Sequence, residues 1–592
     1  MDRINKHLTY LLLLFFTISS FAQETAIKWW NTSQSEFKVI EGQAWPDEVA
    51  ATFDRLPKRA KNKVREAVWD LSNHASGLKI RFRSNASEIT VRYGVNLRHG
   101  MDHMPATGVS GVDLYAIDSD GQLLWANGQR NFSDTITYHF TGLRPSDKYH
   151  DLGREYRLDL PLYNSVSWLE IGIAEDAYFE PLPVRNEKPI VVYGTSIAHG
   201  ACASRPGMAW TNILGRKLDR PLINLAFSGN GRLEKELIDL LVEIDAKIYI
   251  LDCLPNLWRA EQYDDAALER RILDAVRQLK KERPETPVLL TDHAGYTDGL
   301  IKPERMDQYT RVNIIQKKAF EKLKNEGLQG IFNLSFEELD LGLEDMVDGT
   351  HPNDLGMMHY AEAYEKKLRT ILEEPVGQLS TTLPVTQYRE PNNYDWEKRH
   401  REILEMNRTN PPKKVILANS IIHFWGGLPK AKVAREETTW DNYLTPMGVR
   451  NYAYGWDRIE NVLWRVYHGE LDGFQAEEIM VMIGTNNFHL NTDDEIIAGL
   501  RMLLQAIQIR QPNSQLIVMG ILPRRDEEQR VSTLNLKIAD LAAALHINYG
   551  FLGDVFLNKD KKINEALFSD GLHPNQLGYE KMREVLLPIL KN

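Results

Sequence analysis

Two stretches of this 592-residue chain carry the same chemical groups in the same order. The first holds Tyr193-Gly194-Thr195-Ser196, Ser228-Gly229-Asn230, Pro255-Asn256 and Asp348-Gly349-Thr350-His351. The second holds Ala418-Asn419-Ser420, Gly455-Trp456-Asp457, Gly484-Thr485-Asn486 and Asp570-Gly571-Leu572-His573. Ser196 and His351 lie 155 positions apart, and Ser420 and His573 lie 153 apart; serine to asparagine is 60 positions in the first set and 66 in the second. A serine hydroxyl is a weak nucleophile at neutral pH and needs a base whose tautomer is fixed by a third group. His351 with Asp348, and His573 with Asp570, meet that need. Attack on an ester carbonyl builds negative charge on oxygen, which the backbone N–H groups of Ser196 and Gly229 and the side chain of Asn256 are placed to meet, each worth roughly 3–4 kcal/mol. Asn486 is the matching amide of the second set. Taken singly, each residue has a plainer explanation as a cap, turn or loop residue. The shared order and the duplication point instead to acyl transfer.

These residues resemble the SGNH (GDSL-like) hydrolases. Gly194-Thr195-Ser196, Ser228-Gly229-Asn230, Asn256 and Asp348-Gly349-Thr350-His351-Pro352 are similar to the successive blocks of that family. The resemblance implies a flavodoxin-like three-layer α/β/α fold, with Ser196 as nucleophile, Gly229 and Asn256 as oxyanion donors, and Asp348 and His351 completing the triad. Thr195 stands where the family often has Asp, and Leu254-Pro255 where a Gly is common before Asn. The stretch from Asn451 to Asp457, then Glu460 to Arg465 and Ile483 to Asn487, resembles the platelet-activating-factor acetylhydrolase catalytic-subunit type over most of residues 413–592. That implies Ser420, Asn486, Asp570 and His573 in the same roles. Trp456 takes the place of the family's oxyanion Gly, and Ala418-Asn419 replaces the usual Gly-Asp. Gly111-Val112-Asp113-Leu114-Tyr115 resembles the GxDLY domain found before SGNH domains, which implies arrangement rather than chemistry.

The elements that must hold these groups are legible as two textures. Between about residues 23 and 185, short runs alternate with period two (Leu78 to Phe82, Ile89 to Tyr93, Tyr156 to Leu160, Trp168 to Ile173), as in a β-sandwich. Lys58 to Leu71 reads as one helix or a long loop. After Pro181 and Pro183 come apolar runs of the kind buried in parallel sheets: Pro189 to Tyr193, Ile223 to Phe227, Lys247 to Leu251 and Val288 to Leu290. Helical patterns at Leu268 to Lys281 and Gln308 to Leu323 follow between and after them. The alternation restarts at Val415 to Leu417, Ile479 to Ile483 and Leu516 to Met519, with helices over Glu495 to Gln508 and Thr533 to Leu545. Glu374 to Pro412 carries five prolines with little periodicity and reads as a linker, with Trp396 to Met406 as a short helix within it.

Length implies three or four domains rather than one core. Hydrophobic content of 43% and charged content of 26% are those of a globular protein, and a net charge of −11 without a basic aromatic patch argues against nucleic acid as a partner. Arg3 and Lys6, the apolar run Leu8 to Ile18, and Ser20-Phe21-Ala22 form a signal-peptide pattern cleaved after Ala22, so the protein is expected to be exported, periplasmic or secreted, and not to stay in the membrane. Cys202 and Cys253 read as small buried hydrophobes rather than a disulfide scaffold. No His, Cys and Asp cluster has metal-ligand spacing, and no metal or cofactor is proposed. Trp425, Trp456 and His423 are candidates to border the second cleft, with aromatic faces to stack on sugar rings and core packing the favoured alternative, and Arg205 reads as a solvated loop charge, with a contact to an anionic substrate as the alternative. The expected architecture is a signal peptide (1–22), a β-sandwich (23–185), an SGNH domain (186–374), a linker (375–412) and a second SGNH domain (413–592). The expected activity is that of a serine esterase removing short acyl groups, acetyl foremost, from a carbohydrate or another small ester. An SGNH-type O-acyltransferase, or a glycan-binding protein with a degenerate second domain, are the alternatives.

Overall fold

The computed structural model describes residues 26–590; the expected signal segment lies outside the described residues. The N-terminal third forms two antiparallel sheets. One has the order Ile27–Asn31, Val166–Ala174, Ile89–Val95, Ile136–Phe140, Gln129–Asn131. The other runs Phe179–Pro181, Lys79–Ser84, Arg154–Asp159, Asp113–Ile117, Leu123–Ala126, with Ile40–Glu41 beside Lys79–Ser84. Alternation builds the core between them: Ile80, Phe82, Ile89, Val91, Tyr93, Leu114, Tyr156, Leu158 and Ile171 point inward. The opposite face of Lys79–Ser84 is buried as well, although it carries Lys79, Arg81 and Arg83. It is covered by other parts of the chain; Arg81, for example, pairs with Glu155 and with Glu397.

Two α/β units follow, each with a five-stranded parallel sheet. The first has the order Leu222–Ala226, Ile190–Gly194, Ile248–Asp252, Val288–Thr291, Ile331–Leu334. The second has Val449–Ala453, Lys414–Ala418, Glu478–Met482, Gln515–Met519, Asn548–Gly550. In chain order both are 2-1-3-4-5, the flavodoxin-like arrangement, with helices packed on both faces. The strand that opens each unit therefore sits at the point where strand order reverses. Ligand crevices form there, beyond the C-terminal ends of the strands.

The proline-rich stretch between the units is not a loose connection. After Ser380–Thr382, a helix spans Trp396–Thr409, N-capped by Asp395, whose side chain accepts from Lys398 N. Gln387, Arg389, Trp396, Arg399 and His400 are all buried. Arg399 donates to the carbonyls of Ala453 and Asn451, and Thr381 Oγ1 donates to Glu495 O at 2.7 Å. Lys58 to Leu71 resolves into a short 3-10 turn, Lys58–Ala60, and a helix, Glu66–Ser72. Cys202 and Cys253 are buried and unpaired.

Candidate active sites

Each nucleophile candidate opens a four-residue helix directly after the central strand. Ser196–His199 follows Ile190–Gly194, and Ser420–His423 follows Lys414–Ala418. Asn419 caps its helix by accepting from Ile421 N at 3.1 Å, while Thr195 has extended backbone but no side-chain cap bond. Both serines are nearly buried.

In the first unit, Ser196 Oγ lies 2.9 Å from His351 Nε2, and His351 Nδ1 lies 2.7 Å from Asp348 Oδ2. In the second, Ser420 Oγ lies 2.8 Å from His573 Nε2, and His573 Nδ1 lies 2.8 Å from Asp570 Oδ2. The carboxylates are locked by their own turns. Asp348 Oδ1 accepts from the N–H groups of Thr350 and His351, and Asp570 Oδ1 from those of Leu572 and His573. Burial pushes both carboxyls up, but the bonds from the histidines and the turn N–H groups outweigh it and leave both below the usual carboxylate range. Burial draws the His573 imidazole below its ordinary value; Asp570 opposes this, and Arg435 and Arg524 reinforce it.

Sheet register fixes which residues correspond across the two units. Gly194 pairs with Ala226 and Asp252, as Ala418 pairs with Ala453 and Met482. Gly229 comes three residues after Ala226, and Trp456 three after Ala453; Asn256 comes four after Asp252, and Asn486 four after Met482. Gly229 has φ +69° and Trp456 has φ +59°. The two loops thus share a left-handed backbone at the same point, and the tryptophan keeps the conformation that presents the glycine's N–H. A bulky side chain in that region costs on the order of 1–3 kcal/mol and persists only where surroundings impose it. Here they do. Arg389 Nη1 donates to Trp456 O at 3.1 Å, Gln387 Nε2 and Tyr394 Oη donate to Gly455 O, and Trp396 Nε1 and Arg465 Nε donate to the two carboxylate oxygens of Asp457. The segment read as a linker is the mould of the Gly455-Trp456-Asp457 loop.

The amides of the two sites are held differently. Asn256 Oδ1 accepts from Gly231 N at 3.0 Å, and its Nδ2 has no partner among the described residues. Asn486 Nδ2 gives one hydrogen to Asp457 O at 2.9 Å. An amide nitrogen carries two hydrogens, so one remains for a substrate oxygen.

Other residues lie near the sites, of which His199 and His103 were not singled out in the sequence. Three positions after each serine stands a buried histidine. His423 Nδ1 accepts from Gly455 N at 2.9 Å, bracing the loop that ends in Trp456. His199 Nε2 bonds Leu162 O at 2.9 Å and its ring stacks on Tyr163. Burial holds both imidazoles well below their ordinary value, hence neutral. The repeated Ser-x-x-His was visible in the letters, although its meaning was not. His103 of the β unit brings its ring to 6.1 Å from that of His351, which no local pattern announces. Of the three candidates for the second cleft, Trp425 and His423 are buried, and only Trp456 reaches the surface. Arg205 is not a solvated charge. Its Nη1 pairs with Asp113 Oδ2 and donates to Tyr115 Oη, both at 2.8 Å, and its guanidinium lies over Trp125. Asp113 and Tyr115 belong to the GxDLY-like stretch, so that motif clamps the β unit to the loop after Ser196.

Residues 27–179 match the family described as the N-terminus of SGNH-hydrolase-type esterases (GxDLY). Residues 187–369 and 419–581 each match the GDSL-like lipase/acylhydrolase family. Platelet-activating factor acetylhydrolase IB subunit alpha1 of Bos taurus is 26% identical over 200 residues, 33% of this chain and 82% of the bovine protein. Subunit alpha2 of Rattus norvegicus is 26% identical over 208 residues, 33% of this chain and 85% of its own. A Bacteroides ovatus protein described as a GDSL-like lipase superposes with a TM-score of 0.52 at 29% identity, covering 59% of this chain and 98% of its own.

Proposed function

Since the chain carries a GxDLY domain followed by two GDSL-like lipase/acylhydrolase domains, we propose that it is an exported serine esterase with two working clefts, removing acetyl groups from a carbohydrate. Residues 23–185, 186–374 and 413–592 are taken as its units, with 375–412 joining them. The observation that carries this reading is the pair of complete hydrogen-bonded chains, Ser196–His351–Asp348 and Ser420–His573–Asp570. The acetyl assignment draws on relatives named as acetylhydrolases. The carbohydrate assignment draws on the family resemblance and on the expected export.

In each cleft the serine oxygen attacks the ester carbon while its proton passes to histidine Nε2, and the aspartate holds the Nδ1 hydrogen in place. The oxyanion takes hydrogen bonds from the serine N–H, from the N–H of residue 229 or 456, and from Asn256 or Asn486. Collapse breaks the ester C–O bond, and the departing alcohol takes the histidine's proton. Water then repeats the cycle on the acyl-serine and releases the acid. Ser196→Ala and Ser420→Ala are each expected to remove one component of acetyl-ester turnover, and the double variant to lose at least about 1,000-fold. A double variant that still turns over aryl acetate at the wild-type rate would refute the assignment.

A further inference from the structure

We propose that the indole of Trp456 and the ring of Tyr149 form an aromatic subsite at the mouth of the second cleft, taking the pyranose ring that bears the ester, and that the first cleft lacks it. This rests on the reading of the second triad as a site for esters.

The argument starts from the matched loops. A Cβ built on Gly229 meets nothing within 4 Å, so the direction a side chain would take there opens into free space. In the second unit that direction is occupied. Trp456 is 37% exposed although Gly455 and Asp457 on either side are buried. The exposed ring is held in place. Tyr149, from the β unit, meets it edge to face with centroids 5.9 Å apart. Arg458 Nη2 lies 3.4 Å from Tyr149 Oη, and Arg458 Nη1 lies 3.2 Å from Asp120 Oδ1. Asp120 also accepts from Arg389 at 2.6 Å, the same arginine that binds the Trp456 carbonyl.

The surroundings identify the ligand class. An acyl chain calls for apolar walls. Here the exposed Trp456 indole stands among charged groups: Arg458 and Asp120, which pair with each other, exposed Lys148, whose ammonium pairs with Asp120 and lies over the Tyr149 ring 4.9 Å from its centroid, and His489, whose Nε2 lies 3.4 Å from Arg458 Nη2. A pyranose matches both features, because its C–H face stacks on an aromatic ring while its edge hydroxyls bond to charged groups. The ring is supplied by the residue whose N–H faces the ester carbonyl, so a sugar seated on it carries its own acyl group to the serine.

The test uses the full chain and an acetylated xylo-oligosaccharide as probe. In the Ser196→Ala/Ser420→Ala protein, calorimetric titration is expected to show binding that weakens about tenfold on Trp456→Ala and less on Tyr149→Ala. In the Ser196→Ala protein, Trp456→Gly is expected to raise KM for the same sugar about tenfold, and to lower kcat/KM for the sugar at least about threefold more than kcat/KM for 4-nitrophenyl acetate, which has no ring to stack. Glycine suits the left-handed backbone, so this variant keeps the loop intact. Sugar binding and KM unmoved by either Trp456 change would overturn the subsite while leaving the esterase reading in place. Trp456-dependent binding in a protein whose second cleft turns over no ester would uphold the subsite and overturn the catalytic reading of Ser420.

Discussion

A glycine and a tryptophan present the same left-handed backbone at matching points of the two units, and at this scale the proposed oxyanion contact belongs to torsion angles rather than side chains. Gly229 and Trp456 differ by ten degrees in φ. The second histidine differs from a free imidazole in a way that has a consequence for pH. Burial, aided by Arg435 and Arg524, holds His573 below the ordinary value of about 6.5. A general base acts when neutral, so a lowered pKa extends activity toward acid. In the Ser196→Ala protein, the acid limb of kcat/KM for an aryl acetate is expected below pH 6.5, and Arg435→Gln is expected to move it toward neutrality. A limb at or above 6.5 in the parent would contradict this electrostatic account.

At the scale of elements, the segment between the α/β units has the largest effect for its size. Arg389 has no exposed side-chain surface and holds Asp120 of the β unit and the Trp456 carbonyl at once. Burial pushes Asp120 up, but Lys148, Arg389 and Arg458 together hold it down at about 2. Arg389→Ala is expected to lower second-cleft kcat at least about tenfold, read in the Ser196→Ala background, with first-cleft turnover in the Ser420→Ala background unchanged. Equal losses in both clefts would mean general unfolding instead. None of this was legible in the letters. Apolar runs such as Ile190 to Tyr193 announce strands because burial on both faces demands them. The duplicated Ser, Asn and Asp-x-x-His groups announce the candidate sites instead, because acyl transfer restricts residue type. The edge strands Ile331–Leu334 and Asn548–Gly550 escaped notice because they are short, interrupted by asparagine or glycine, and partly exposed. The joining segment escaped because its partners lie far away in sequence: Gln387 and Arg389 show no period that could name Gly455 or Asp120.

At the scale of the whole molecule, one carboxylate ties all three units. Asp219, at the end of a helix in the first α/β unit, pairs with Arg157 of the β unit at 2.6 Å and Arg185 at 3.0 Å, and accepts from Trp464 Nε1 of the second α/β unit at 2.9 Å. Removing one partner of a buried ion pair strands the others. Asp219→Ala is expected to cost roughly 3–5 kcal/mol in denaturant unfolding, with the second unit's transition separating from the first; an unchanged single transition would show that the contact carries no coupling. The β unit braces both neighbours, with Asp113 and Tyr115 against the loop after Ser196 and with Asp120 and Tyr149 beside Trp456. Cut away from either α/β unit, the β unit would turn Asp113 and Tyr115, or Asp120 and Tyr149, out to water, so a truncated chain is expected to be less soluble than the whole.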